Sequence, residues 1–282
     1  MNLKELVTRK FGKISIEHPQ PYVVQVVLNN PDKGNRLDLE MATDLQELFD
    51  ACSLIRTGEL RCLILTGCGN VFSGGADLER RKDQADAAWI SDHAPLEAVE
   101  DAMVNCPIPI VTSINGPAIG AGSELVLASD LAYAFEGAAF GFTEAAMGFI
   151  AGLGGQVNLA RIVGPRRAFE MLLQSEPFDK TTYYPARTML EWGMLNGVLP
   201  SRAALASEVS TIAMRIAHRG PVAVRCLKAA VRAAMDSEWK AATLRERELY
   251  KSTVATRDRH IGITWALTRK DQRPAAPVFS GC

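Results

Sequence analysis

Apolar and polar positions along the chain alternate between two rhythms. Tyr22 to Leu28 is a β-branched apolar run that stops at Asn29-Asn30-Pro31-Asp32-Lys33-Gly34, which predicts a strand followed by a loop. From Leu39 to Cys52 the apolar residues Met41, Leu45, Leu48, Phe49 and Cys52 recur at spacings of three and four behind Asp38, a residue suited to cap a helix N-terminus. Further strand-like runs fall at Leu60 to Leu65 and Ile108 to Ile114, and the shorter run Leu131 to Phe135 opens another turn. Repeated strand and helix units predict an α/β architecture with mainly parallel pairing. After Pro200 the rhythm changes, and Ala203 to His218, Val222 to Met235, Glu238 to Tyr250 and Arg257 to Lys270 are alanine-rich and amphipathic. The chain therefore divides into a core over residues 1–200 and a helical C-terminal region over 201–282. Apolar positions such as Ile212, Ile216, Val224, Leu227 and Val231 require a partner surface. The tail from Arg273 to Cys282, rich in proline and alanine, is expected to be mobile.

Composition narrows the partners. The 282 residues include 31 basic and 32 acidic side chains, a formal charge of −1, so nothing favours nucleic acid or an anionic membrane as partner. Six cysteines form no C-x-x-C pair and sit mostly in apolar runs, which fits reduced structural thiols and no metal site. Met1 to Lys13 lacks an uninterrupted apolar stretch, and no segment approaches about 18 apolar residues. A soluble cytoplasmic protein is the expectation.

The chemistry concentrates in two glycine segments, each closing an apolar run: Val71-Phe72-Ser73-Gly74-Gly75-Ala76-Asp77 and Asn115-Gly116-Pro117-Ala118-Ile119-Gly120-Ala121-Gly122-Ser123-Glu124. Glycines at a strand end let main-chain N–H groups approach a ligand oxygen, and two such donors converging make an oxyanion hole. The second segment runs into a helix-like stretch whose first turn carries Glu124. Glu144 follows in a stretch, Ala138 to Leu159, that is otherwise nearly free of charge. Two carboxylates on one pocket suffice for acid/base work without metal. Ser73 and Ser123 stand in no G-x-S-x-G elbow, and the four histidines are scattered, which disfavours a serine hydrolase. Gly116, Gly120 and Gly122 do not spell the dinucleotide fingerprint.

These segments resemble the enoyl-CoA hydratase/isomerase (crotonase) superfamily. Arg61 to Gly67, Phe72 to Leu78, Pro109 to Asp130, and Phe140 to Glu144 with Gly148 and Gly152 to Gly155 match in order and spacing, over roughly residues 20 to 270. The resemblance implies a spiral of ββα units with a C-terminal helical region that assembles trimers or hexamers. It implies the N–H groups of Ala76 and Ala121 as oxyanion donors, Glu124 orienting and activating water, and Glu144 handling the α-carbon proton. It places Lys33, Arg36, Asp77, Leu78 and Lys270 near the coenzyme A portion of an acyl-CoA thioester, coenzyme A being part of the substrate and no separate cofactor being needed. Trp89, Met147, Phe149 and Trp265 fall in segments that border the acyl chain in relatives, and Ala266 replaces a frequent phenylalanine. Syn hydration of a 2-enoyl-CoA is the expected reaction. Double-bond isomerisation, C–C cleavage on the same site, or a non-catalytic binding role are the alternatives.

Overall fold

The apolar runs become strands covered on both faces, which is why they read as continuous hydrophobic stretches. The computed structural model describes residues 2–79 and 81–282. Its strands are β1 (Ile14–Gln20), β2 (Val23–Leu28), β3 (Cys62–Gly67), β4 (Ile110–Ile114), β5 (Ala118–Ile119), β6 (Leu131–Phe135), β7 (Ala139–Gly141), β8 (Tyr184–Pro185) and β9 (Gly197–Leu199). The main sheet runs in the order β1-β2-β3-β4-β6-β9, with β1 and β2 antiparallel and every other neighbouring pair parallel. A small second sheet joins β5 to β7 in parallel and β7 to β8 antiparallel.

Successive side chains of β2, β3 and β4 point to opposite faces and fill two separate cores. On one face Val24, Val26, Leu63, Leu65 and Ile110 meet the helices Leu39–Ser53 and Ala94–Asn105. On the other, Val23, Cys62, Ile64 and Val111 meet Leu205, Val209, Ile212 and Ala213. The first helix of the C-terminal region, Arg202–Ala217, thus seals the back of the main sheet.

Both glycine segments leave the carboxyl ends of neighbouring parallel strands, β3 and β4, the edge where open α/β sheets place their ligands. Isolated bridges Leu37 with Ala76 and Ser73 with Ala118 fasten these loops together. The helix Ala121–Ala128 that follows is buried at every residue.

Three more helices, Pro221–Asp236, Trp239–Val254 and Arg257–Leu267, complete the chain. Lys228 and Arg232 pin the first of them to Asp130 at 2.7 and 3.1 Å. Leu227, Val231, Trp239, Leu244 and Tyr250 remain exposed on this region. The tail, expected to be mobile, is instead tied down. Buried Asp258 accepts from Ser280 N at 2.7 Å and Gly281 N at 3.0 Å, and Arg61 Nη2 donates to Phe279 O at 2.9 Å. Fixed backbone donors and a buried guanidinium outweigh the proline-rich composition. Among the described residues, no helix is long and apolar enough to cross a membrane.

Candidate active site

Gly75 and Ala121 bring the two glycine segments into contact. Gly75 adopts φ +90°, and a Cβ on it would stand 2.7 Å from Ile119 O and 3.5 Å from Ala121 N, so only glycine admits this approach. The Leu37 bridge uses the flanking groups, Leu37 N to Gly75 O and Asp77 N to Leu37 O, both 2.8 Å. The N–H of Ala76 is left unengaged between them. Ala121 is the first residue of its helix, where an N–H has no intrahelical acceptor. Neither N–H finds a partner among the described residues, and both residues line one cleft of about 400 Å³.

Glu124 and Glu144 line the same cleft. Glu124 is 1% exposed, and its Oε1 accepts from Leu153 N at 2.6 Å and Gly155 N at 2.9 Å. Burial pushes its carboxyl up to about 7, with the nearby Glu144 charge adding to the rise and the two N–H donors opposing it. Glu144 is buried as well, which raises its carboxyl above the ordinary range, and its Oε2 has no hydrogen-bond partner. One buried carboxylate is thus held rigidly by backbone donors, and the other presents an unengaged oxygen.

Beyond the carboxylates the cleft becomes aromatic and apolar. Trp89 and Phe149 meet edge to face at 5.6 Å, with Ile90, Met147 and Ile150 beside them. Arg81, His93 and the largely exposed Glu97, whose Oε1 lies 3.9 Å from His93 Nε2, join this wall. His93 Nε2 lies 3.2 Å from Gly152 O, while its Nδ1 is buried without a partner. Arg81, 8% exposed, lies 4.0 Å over the Trp89 ring and donates from Nη2 to Trp89 O at 2.8 Å.

Comparison with known proteins decides the family. The model of a family described as enoyl-CoA hydratase/isomerase matches residues 19–272. The chain belongs to this family. It is 30% identical over 262 residues to the 2,3-dehydroadipyl-CoA hydratase of Escherichia coli (strain K12), covering 93% of this chain and 96% of that protein. It is 31% identical over 265 residues to the (E)-benzylidenesuccinyl-CoA hydratase of Thauera aromatica, covering 92% and 96%. Among solved structures, the enoyl-CoA hydratase from Bacillus anthracis superposes with a TM-score of 0.88 at 29% identity, covering 96% of this chain and all of that one. The crotonase fold expected from the sequence is the one present.

Against this family frame, the remaining expected site residues separate into three places. Leu78 lines the cleft. Lys33 and Arg36 line no part of it and pair with acids: Lys33 Nζ with Asp77 and Glu79 at 3.0 and 3.1 Å, Arg36 Nη1 with Glu79 at 3.4 Å. Asp77 therefore turns its carboxylate to Lys33, lowering its own pKa against the effect of burial and raising that of the ammonium. Lys270 is exposed beyond the last helix and lines no part of the cleft. Trp89, Met147 and Phe149 line it as expected; Trp265 and Ala266 do not. Trp265 Nε1 instead donates to Pro274 O at 2.8 Å, so the turned-back tail occupies that indole. Arg81 and His93 are the cleft residues that sequence reasoning passed over. Arg81 sits in a charged run, and no spacing signal links either residue to the carboxylates.

Proposed function

We propose that the chain is an enoyl-CoA hydratase, adding water syn across the double bond of a 2-enoyl-CoA thioester. The observation that carries this reading is the convergence on one cleft of two unengaged N–H donors and two buried carboxylates. A thioester oxygen between Ala76 N–H and Ala121 N–H takes up negative charge as the β-carbon gains its bond to water oxygen. Glu124, with one oxygen held by Leu153 and Gly155, accepts the proton that water loses. Glu144, whose carboxyl burial raises above the ordinary range, delivers a proton from its unengaged side to the α-carbon, and the enolate becomes the 3-hydroxyacyl thioester. A carboxyl near 7 suits a group that both accepts and releases protons at neutral pH. The relatives' names, both hydratases, support the same direction. Isomerisation needs only one acid/base carboxylate, and the second, held Glu124 favours hydration over it.

The nucleotide end of coenzyme A belongs near Lys33 and Arg36, whose present acid partners, Asp77 and the exposed Glu79, a phosphate would have to share or replace. Assembly into trimers or hexamers through the C-terminal helices accounts for their exposed apolar side chains. The deciding experiment presents 2-enoyl-CoA thioesters to the purified chain and follows loss of the conjugated thioester's ultraviolet absorbance, with the hydroxyacyl product identified by mass. Appearance of a 3-enoyl isomer without a mass increase of one water would overturn the reading.

A further inference from the structure

Two arginines are buried among the described residues, and they are served very differently. Arg61 donates to three carbonyls, Gly58 O, Ala217 O and Phe279 O, at 2.9 to 3.0 Å. Arg81 is equally buried at 8% exposure, yet among the described residues its side chain makes a single hydrogen bond, to Trp89 O, and its Nε is enclosed without a partner. A guanidinium carries five donors, so most of Arg81's capacity is unused. Lys33 and Arg36, by contrast, are already matched with acids. Among the described residues Arg81 is the one guanidinium or ammonium lining the catalytic cleft, and it stands at the Trp89–Phe149 end.

We infer that Arg81 is a carboxylate-recognition group, and that the acyl chain of the natural thioester carries a distal carboxylate that pairs with it. This rests on the proposed acyl-CoA reading of the cleft. A buried guanidinium with unfilled donors is costly, and a substrate carboxylate supplies the acceptors that the protein omits. The ring face of Trp89 fixes the guanidinium plane, which favours a planar anion over a diffuse one. Arg81 also borders a second cavity of about 330 Å³ whose charged lining, besides Arg81, is one cation, Lys13, against four acids, Asp38, Glu40, Asp77 and Asp92. Those acids repel a carboxylate on that side, so the anion meets Arg81 from the cleft. Asp92 itself is occupied by Gln84 Nε2 at 2.6 Å. Burial lowers the guanidinium pKa and Asp92 opposes that, but an arginine stays charged throughout the working range.

The test uses the full chain and two matched series of five-, six- and eight-carbon thioesters, one ending in methyl and one in carboxylate. Saturated members report binding by calorimetry, and the 2-enoyl members report turnover. The parent should bind at least one saturated carboxylate-ended thioester at least 10-fold more tightly than its methyl-ended counterpart. Arg81→Gln should abolish that preference, lowering affinity for the carboxylate series by about 10- to 100-fold, the scale of hydrogen bonds to a charged group, while the methyl series changes less than 3-fold. Arg81→Lys, which keeps the charge, should recover part of the preference. Equal loss on both series in Arg81→Gln, or no preference in the parent at any length, would overturn the subsite. A parent that binds with the Arg81-dependent preference but hydrates neither series would leave the subsite standing and sink the hydratase reading instead.

Discussion

Gly120 lacks a side chain where Glu144 needs the space: a Cβ at residue 120 would stand 2.5 Å from Glu144 Oε1. Gly120 also adopts φ +53° and ψ −123°, a conformation that other residues resist. Gly120→Ala should therefore displace the carboxyl and strain the turn at once, costing roughly 1 to 3 kcal/mol of stability. Turnover should fall at least tenfold while thioester binding, measured by calorimetry, changes little. An alanine variant with parental kcat would show that Glu144 does not work from this position.

Glu144→Gln conserves shape and removes the proton. A loss of about 10² or more in kcat is expected for a positioned acid/base group, with Kd for a saturated acyl-CoA unchanged. Stopped-flow hydration and calorimetry separate the two quantities, and turnover within a few-fold of the parent would remove Glu144 from the α-carbon step.

For Glu124 the buried carboxyl makes a second, opposite prediction. Its folded-state value of about 7 lies above the ordinary 4.5, so the native state holds a proton that the unfolded chain has lost between those two values. Stability then falls as pH rises from about 4.5 through 7, by as much as roughly 3 kcal/mol. Glu124→Gln should lose hydration by about 10² or more, yet be more stable than the parent at pH 8.5, with the gap closing below pH 5. Thermal unfolding across pH checks this; parallel curves for the two proteins would contradict the cause assigned to the shift.

Asp258 gathers the tail through Ser280 N, Ser280 Oγ and Gly281 N. Asp258→Ala should release those donors and raise their amide exchange by about tenfold or more, since each bond to a charged group contributes about 1.5 to 3 kcal/mol. Hydrogen exchange read by mass spectrometry on the terminal peptide reports it, and unchanged protection would mean that Arg61 alone suffices to hold the segment.

Leu227, Val231, Trp239, Leu244 and Tyr250 are all more than half exposed on helices that have no further layer of this chain over them. Sedimentation of the intact protein at micromolar concentration should show trimers or hexamers and no appreciable monomer. A stable, active monomer would refute self-assembly.

The strands and helices with strong periodicity were legible in the sequence: Tyr22 to Leu28, Leu39 to Cys52 and the four C-terminal helices all lie within a few residues of the observed elements. Strands β5, β7, β8 and β9 were not, because two or three residues carry no period and owe their pairing to neighbours far along the chain. The same holds in the site. Glu124 and Glu144 stood out because charge is rare around them, and the two glycine segments stood out by composition, while Ala76 and Ala121 within them were picked out by the family resemblance. Arg81 and His93 gave no such contrast, for their meaning comes from what they lack in space: an acceptor for Arg81 Nε and a partner for His93 Nδ1. Trp265 and Ala266 went the other way: both meet the tail, which accepts from the indole at Pro274 O and donates from Arg273 Nη1 to Ala266 O.

The short helix Ala121–Ala128, buried along its whole length, carries Ala121 N–H and Glu124 within a single turn. The spacing between the Ala121 N–H and the Glu124 backbone is consequently set by helical geometry, while the carboxyl itself is oriented from outside the helix by Leu153 N and Gly155 N. Glu144 and Arg81 lie on separate segments with their own freedom. Whoever wishes to redirect this scaffold toward a new acyl group has a wall to vary at Trp89, Ile90, Met147, Phe149 and Ile150, whereas the stretch that reaches Leu153 and Gly155 also holds Glu124 and has to be kept.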